Sequence, residues 1–541
     1  MRDISQYFPY KDVRDQQTQA INFALDAFLD QGKAFCVIEA GTGVGKSAIG
    51  LTIAKYLAAH DTPPVDLWDN GAFFLTTQKI LQDQYVEDFG ASDSMCSIKS
   101  STNYQCKHYK KQSCSESMQM LKAADKSSRF FKTCTTSCHY KQDKKKYMES
   151  TLGLTNFSYF MTDNAFNAKS KPRNLLVIDE AHNIETEISK FVEVTISERF
   201  SSHVLGLLWP SATTHHQVVT WLKETYLPKC VSKIEHIEKT LEKFKGLEAK
   251  IKEISNLAKE FELLKSHTQK VQKFLEIQDP DNWVFEEIPA QGQKMRSYSF
   301  KPIDISEYAR ENLFRMGRRV LMLSATILDK EAFCGSLGLN VDDVSFVSIP
   351  TPFPAENRPV FFFPVGNMGA DHIEQSLPKL LQMVKKILGE HPKEKGIIHC
   401  HTYRIANYLK TNLRSDRILI HDSNDRDKIL QDHMSSSKPT VLLSPSMTEG
   451  VDLKGDASRF QVICKIPYPS LGDKIVRKRM NRWKWWYPLQ TSKTIIQAIG
   501  RSVRSSDDFA VTYILDSDWE RFFSRNENMF PQSFKDSIVR Q

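Results

Sequence analysis

The sequence predicts an α/β fold, and three stretches carry that prediction. In the first, an apolar run from Phe35 to Ile38 leads into a glycine-rich loop, and Ile49 to Leu57 continue as a helix. In the second, four apolar residues, Leu175 to Ile178, suit a central strand buried on both faces. Asp179 and Glu180 then fall at its carboxyl end, where open α/β sheets place their ligands. In the third, the apolar strand Val441 to Leu443 runs into a glycine-containing segment with Glu449 and Asp452.

The first stretch carries phosphate chemistry. Ala40 to Ser47 read "AGTGVGKS", the Walker A pattern. Gly41, Thr42, Gly43, Val44 and Gly45 form a loop whose glycines let the backbone wrap close to phosphate, with N–H groups pointing inward. Lys46 is expected to reach the β- and γ-phosphates of ATP, and Ser47 to hold Mg²⁺. Two bare carboxylates at a strand end are weak evidence alone, but "DEAH", Asp179 to His182, paired with this loop is strong. Asp179 would complete the magnesium site, and Glu180 would activate the attacking water.

Composition sets bounds. A chain of 541 residues suggests about three or four domains, and 40% hydrophobic residues can build sizeable cores. The formal charge of +8, from 73 Lys+Arg against 65 Asp+Glu, favours an anionic partner without demanding one. No apolar run approaches the ~20 residues of a membrane span, and "MRDISQYFPYKD" lacks a signal peptide's apolar segment. Ten cysteines in this length are not a disulfide scaffold, so an intracellular, cytoplasmic chain is expected. A bacterial or viral origin is expected over a nuclear one.

Further motifs follow in order, and together they resemble the iron–sulfur DNA helicases related to XPD and DinG, in helicase superfamily 2. "RDQQ" (Arg14 to Gln17) is similar to the family's segment before Walker A, where a glutamine reads adenine; Gln17 is the better candidate and Gln16 its neighbour. "FFLTTQKILQDQY" (Phe73 to Tyr85) resembles motif Ia, and "LMLSAT" (Leu321 to Thr326) motif III. "TPFPAENRPV" (Thr351 to Val360) resembles the entry to a second motor domain, "SPSMTEGVDLKGD" (Ser444 to Asp456) motif V, and "QAIGRSVRS" (Gln497 to Ser505) motif VI. The resemblance implies two RecA-like P-loop motor domains closing on ATP. Arg504 is then the expected finger on the γ-phosphate, with Arg501 its phosphate-contacting neighbour and Gln497 on the same helical face. The resemblance places Asp452, rather than Glu449, nearer the ATP cleft. Thr76 and Thr77 end a strand and suit strand phosphates.

Between motif Ia and DEAH lie Cys106, Cys114, Cys134 and Cys138, with seven, nineteen and three residues between them. Four thiolates suffice for a tetrahedral zinc site or a [4Fe–4S] cluster, and spacing does not decide. The family inserts a [4Fe–4S] domain here, so the resemblance implies the cluster; Cys96 is the substitute if one ligand is misassigned, and His108 and His139 are surplus. Lysines and tyrosines in "CKHYKKQ" and "CHYKQDKKKY" suit phosphates and stacked bases, or a solvated charged face. Cys36, Cys230, Cys334, Cys400 and Cys464 are expected to be buried thiols.

The step of 145 positions from Asp179 to Ser324 exceeds what a bare motor needs. Apolar residues recur every three or four positions from Ile234 to Leu264, with Gly246 as a kink or break and Val271, Phe274 and Leu275 after a second break. The resemblance makes this a helical arch. "IVRKRMNRWKWWYP" (Ile475 to Pro488) suits either strand binding or packing of the second lobe.

The expected domains are the first motor part over 1–95, the iron–sulfur domain over 96–145, the DEAH part over 146–190, the arch over 191–300, the motif III part over 301–348 and the second motor over 349–541. No exonuclease-like module is expected before Arg14. The implied activity is a monomeric ATP-dependent DNA helicase on single-stranded DNA, forks and junctions, with DNA–RNA hybrids as a further track. Travel of 5′ to 3′ comes from the resemblance alone. The alternatives are a DNA-stimulated ATPase that remodels protein–DNA complexes and a non-catalytic DNA-binding scaffold.

Overall fold

The computed structural model describes residues 2–540 apart from 42, 65, 78, 92–94, 168–169, 293, 422–424, 446–452, 454, 501 and 504–507. Two parallel sheets organise it. The first has seven strands, in the order Val344–Ile349, Phe35–Ala40, Gly317–Ser324, Arg173–Asp179, Asp69–Thr76, Leu152–Asn156 and Cys96–Ser97. The second has six, in the order Val360–Gly366, Val511–Asp516, Phe460–Ile463, Gly396–His399, Val441–Ser444 and Ile418–Ile420. Every adjacent pair in both sheets is parallel.

Register brings the predicted motifs together. Glu39 pairs with Ser324, and Asp179 with Leu323, so three strands end level at one carboxyl edge. Strand alternation sends Val37, Leu176 and Ile178 to one face and Cys36, Ile38, Leu175 and Val177 to the other, and a separate buried cluster forms on each. A parallel sheet covered on both faces needs such continuous apolar strands, which is why Leu175 to Ile178 show no polar alternation.

The segments inserted into the first lobe share its core. Met120, Phe130 and Cys134 join the cluster that holds Phe73, Leu75 and Ile178, and Phe261, Leu264 and Phe274 belong to the same cluster. Helices Leu227–Lys243 and Ile251–Ile277 pack as a hairpin through Cys230, Ile237, Leu241, Ala258 and Phe261. Gly246 does break the pattern: its φ is +75°, and its N–H donates to Ala123 O at 2.9 Å. The second expected break is absent. Val271 and Phe274 lie inside one helix of 27 residues, about 40 Å long. No glycine or proline interrupts that stretch, and the apolar stripe stays in phase with the underlying core. Leu247 and Ile251 are exposed and fall outside the stripe.

The hairpin leans on the cysteine-bearing segment. Gln112 Nε2 donates to Ser255 Oγ at 2.6 Å, Lys122 pairs with Glu238 at 2.6 Å, and the Lys122 ammonium sits 3.8 Å from the Phe261 ring centre. A small antiparallel sheet of Val194–Ser197, Ser297–Pro302 and Trp283–Ile288 closes the base of the hairpin. Among the described residues no helix is long and apolar enough to cross a membrane.

Candidate nucleotide site and cysteine pocket

The phosphate loop joins strand Phe35–Ala40 to helix Lys46–His60. Gly43 and Gly45 have φ of +83° and +89°, a region that disfavours residues with a Cβ. Space is also closed: a Cβ on Gly43 would lie 2.1 Å from Phe353 Cζ, and one on Gly45 2.6 Å from Gln17 Nε2. Lys46 and Ser47 open the helix, whose N-terminal N–H groups suit a phosphate. Thr42 lies outside the described residues.

Arg14 and Gln17 tie this loop down. Arg14 Nη1 and Nη2 donate to Gly43 O and Val44 O at 3.0 and 3.1 Å, and Gln17 Nε2 donates to Val44 O at 2.9 Å. Gln17 Oε1 accepts the Arg14 N–H at 3.0 Å, and the residue is 3% exposed. In this conformation one end of its amide holds the loop at Val44 O and the other caps the start of its own helix at the Arg14 N–H.

Asp179 and Glu180 stand beside the loop. Asp179 is buried and accepts the Glu180 N–H at 2.9 Å and the Tyr85 hydroxyl at 3.1 Å. Burial pushes its carboxyl up to about 6; Glu180 adds to that push and Lys46 opposes it. Glu180 itself has φ of +52°, in the left-handed region, and its Oε2 lies 3.4 Å from His182 Nδ1. Tyr85 was missed in the sequence, although it ends the motif Ia stretch. Its buried hydroxyl donates to Asp179 and lies beside Ser47, the two expected magnesium ligands, and burial pushes its pKa well up.

A polar chain links this edge to the second lobe. His182 Nδ1 meets Ser324 Oγ at 2.8 Å, and the Thr326 N–H donates to Ser324 Oγ at 3.0 Å. Gln497 Nε2 donates to Thr326 Oγ1 at 3.3 Å, and Lys493 Nζ donates to His182 O at 2.9 Å. Gln497 thus faces the first lobe from helix Trp486–Ile499. Arg501, Arg504, Glu449 and Asp452 lie outside the described residues. Thr76 is fully buried, which leaves the half-buried Thr77 at the surface of that strand end.

The basic and aromatic segment before that helix divides between two uses. Trp486 and Arg479 are buried, and Trp485 packs with Ala332 and Leu328 of the first lobe. Packing therefore accounts for these three, whereas Arg477, Lys478 and Arg482 remain exposed.

Cys106, Cys114, Cys134 and Cys138 line one pocket of about 340 Å³, part of it open to solvent. Cys114 Sγ lies 3.6 Å from Cys138 Sγ, and the Tyr109 N–H donates to Cys106 Sγ at 3.3 Å. Burial and the neighbouring thiols push the Cys114 pKa up, and burial does the same for Cys134. No carboxylate lines the pocket, so its donors are soft and suit iron–sulfur or zinc chemistry. Among the described residues no three His, Cys, Asp or Glu side chains close into a shell for a single metal ion. Cys96 stands apart from the pocket, paired through its strand with Gly153 at the sheet edge. His139 is exposed, but His108 is half-buried against Tyr109 and Phe130. Tyr147 is core, stacked on Phe73 at 5.9 Å, and is not available to a base. The five scattered cysteines are buried; burial pushes Cys230 and Cys334 up to about 11.

Comparison with known proteins falls on the same two lobes. Residues 10–214 match the family described as type III restriction enzyme, res subunit, and residues 384–537 match the helicase C-terminal domain family. The ATP-dependent DNA helicase YoaA of Escherichia coli (strain K12) is 23% identical over 230 residues, 40% of this chain and 36% of the relative. The ATP-dependent DNA helicase DinG of Photobacterium profundum is 23% identical over 239 residues, 40% of this chain and 34% of the relative. The chain thus spans about a third of the length of these curated relatives. Among solved structures, an XPD helicase covers 98% of this chain and 100% of its own, with TM-score 0.66 at 13% identity. Xpd4 of S. tokodaii covers 95% and 99%, with TM-score 0.58 at 14% identity. The likeness to these structures concerns the fold, and the match to the helicase C-terminal domain family adds helicase character to the second lobe, so over both lobes the chain is similar to the XPD- and DinG-like helicases of superfamily 2.

Proposed function

We propose that the chain is an ATP-dependent DNA helicase that moves along single-stranded DNA and parts duplexes at forks or junctions. The observation that supports this reading is the level carboxyl edge of three strands carrying Glu39, Asp179 and Ser324, with Lys46 near Asp179 and Gln497 of a second-lobe helix bonded to Thr326. Lys46 binds the β- and γ-phosphates; Ser47 and Asp179 would hold Mg²⁺, which neutralises developing charge on the transferred phosphoryl group. Glu180 orients and deprotonates the attacking water, and Arg504, with Arg501 beside it, stabilises the transition state from the second lobe. Gln497 and Lys493, already in contact with the first lobe, are the route by which closure on ATP moves that lobe.

The four pocket cysteines would hold a [4Fe–4S] cluster, whose bonds to thiolate tie three segments of a small insertion together. The exposed lysines nearby, Lys107, Lys110, Lys111, Lys145 and Lys146, offer the charge that a strand backbone needs. The helical hairpin beside them supports the arch reading. Travel from 5′ to 3′ is the direction the resemblance implies.

The test is strand displacement on duplexes with a single 5′ or a single 3′ overhang, beside matched RNA strands. ATP-dependent displacement from the 5′ overhang alone is expected. Displacement from the 3′ overhang alone would reverse the direction. Removal of bound protein without displacement of either strand would replace unwinding by remodelling of protein–DNA complexes.

A further inference from the structure

Helix Trp486–Ile499 lays a single stripe along the first lobe. Trp486, Gln490, Lys493 and Gln497 recur at four, three and four residues, which places them on one helical face. The last two reach His182 and Thr326. The first two reach Glu185, on helix Ile184–Val192, which begins directly after the DEAH segment.

Glu185 is 8% exposed, and its partners across the interface all belong to the second lobe. Its Oε1 accepts the Trp486 indole N–H at 2.9 Å and pairs with Arg479 Nη1 at 2.7 Å; its Oε2 accepts Gln490 Nε2 at 3.3 Å. Arg479 is equally buried, at 7%, and its remaining donors also turn to the first lobe. Nε donates to Ile303 O at 2.9 Å, and Nη2 donates to Ser189 Oγ at 3.0 Å and to Pro302 O at 3.1 Å. Pro302 ends the strand by which the helical insertion returns to the sheet.

One guanidinium therefore spans two first-lobe elements, the helix behind Glu180 and the root of the inserted hairpin. A buried charge held this way tolerates few alternative geometries, since any shift leaves a charge or a carbonyl without its partner. Its planar fork is also not replaceable by a lysine.

Resting on the ATP-driven reading above, we infer that Glu185 and Arg479 are a positioning pair that couples the nucleotide state at Asp179–Glu180 to the second lobe and to the base of the inserted hairpin. Neither residue belongs to the phosphate loop or to the Asp179–Glu180 strand end. When ATP binding shifts the helix behind Glu180, Arg479 carries that shift across the interface and into the hairpin root.

The test combines hydrogen exchange with a rate ratio, on the full chain. A non-hydrolysable ATP analogue with Mg²⁺ should change exchange in both helix Lys46–His60 and helix Trp486–Ile499 of the unmodified protein. In Glu185→Gln and in Arg479→Lys, helix Lys46–His60 should respond as before, while the response of helix Trp486–Ile499 is lost. The ATP hydrolysed per strand displaced should rise about tenfold. The double variant should show no further loss, because the two residues act as one unit. A preserved response of helix Trp486–Ile499 in both variants would overturn the coupling role. So would equal loss at both helices, which would make the pair a plain structural support. Absence of any response at helix Lys46–His60 in the unmodified protein would instead overturn the nucleotide reading, so the two failures are separable. Glu185→Gln keeps the shape and an acceptor for Trp486 but leaves the Arg479 charge unpaired, so thermal melts of both variants beside the unmodified protein check that the lobes stay folded.

Discussion

A single hydroxyl stands between the residues expected to hold magnesium. Tyr85 donates to Asp179 and lies beside Ser47 from inside the core, where its ring is clamped against Phe74 and Phe89. Such outer partners orient metal ligands and usually matter to metal affinity by about 10-fold or more. Tyr85→Phe should therefore raise the Mg²⁺ concentration for half-maximal ATP hydrolysis about 10-fold, with kcat at saturating Mg²⁺ little changed; a Mg²⁺ titration of turnover checks it. Glu180→Gln should behave oppositely. It removes the base and keeps the ligands, so kcat should fall by ~10²–10⁴ while nucleotide binding survives. Normal steady-state turnover in that variant would move the base elsewhere. The motif residues were legible in the sequence because each has a fixed type at a fixed offset from a strand. Tyr85 was not, since an aromatic on an amphipathic helix looks like core until the fold shows where its hydroxyl ends.

At the scale of elements, the cysteine pocket draws on three helices. Cys114 opens helix Cys114–Met120, Cys134 lies near the end of helix Arg129–Thr136, and Cys138 caps helix His139–Glu149. If these thiols hold [4Fe–4S], anaerobically purified protein should be brown with about four irons, whereas zinc would give a colourless protein with one ion. Cys114→Ser should lose that iron, and Cys96→Ser should keep it, because Cys96 sits in a sheet edge away from the pocket.

Elsewhere helix Arg426–Ser435 carries a buried titrating group. His433 is fully buried, with Nε2 against Ala457 O and Nδ1 against Thr440 Oγ1, both at 2.8 Å, an arrangement that suits the neutral ring. Burial pushes its pKa down to about 4. Between the ordinary 6.5 and about 4 the unfolded chain takes up a proton that the folded lobe refuses, so stability falls as pH falls through that window. The loss attributable to this group approaches roughly 3 kcal/mol near pH 4, because each tenfold difference in proton affinity between the two states is worth about 1.4 kcal/mol. Urea melts of the second lobe at pH 7 and 4.5 should show it, and His433→Gln should flatten the difference. The hairpin helices were legible from periodicity, and so was the turn at Gly246. The expected second break was not real: tertiary packing kept one helix continuous where local signals were silent.

For the whole molecule, the second lobe matters through what it brings to the first. Arg504→Ala should lower DNA-stimulated turnover by about 10³-fold with far less effect on ATP affinity, because a finger acts mainly in the transition state. Equal losses of binding and turnover would make it a ground-state clamp, and no loss would pass the role to Arg501. The tryptophan- and arginine-rich run shows where sequence reading stops. Composition alone cannot separate a strand-gripping surface from a lobe interface, because both use large aromatic rings and guanidinium groups. The structure divides the run residue by residue, with Arg479, Trp485 and Trp486 turned inward and Arg477 and Lys478 turned out.

The shared core of the first lobe has a consequence for descent. Phe130 and Met120 of the cysteine-bearing segment, Phe261 of the hairpin, and Phe73 and Ile178 of the sheet form one apolar body. Neither insertion can then be shed by a single deletion, since its removal would open the sheet face to water. A lineage that abandoned the thiols would still have to keep the surrounding chain or repaint that face with polar residues. Recombination breakpoints between such genes should accordingly gather at the junction of the lobes, near Thr351 to Val360, rather than at the borders of the insertions.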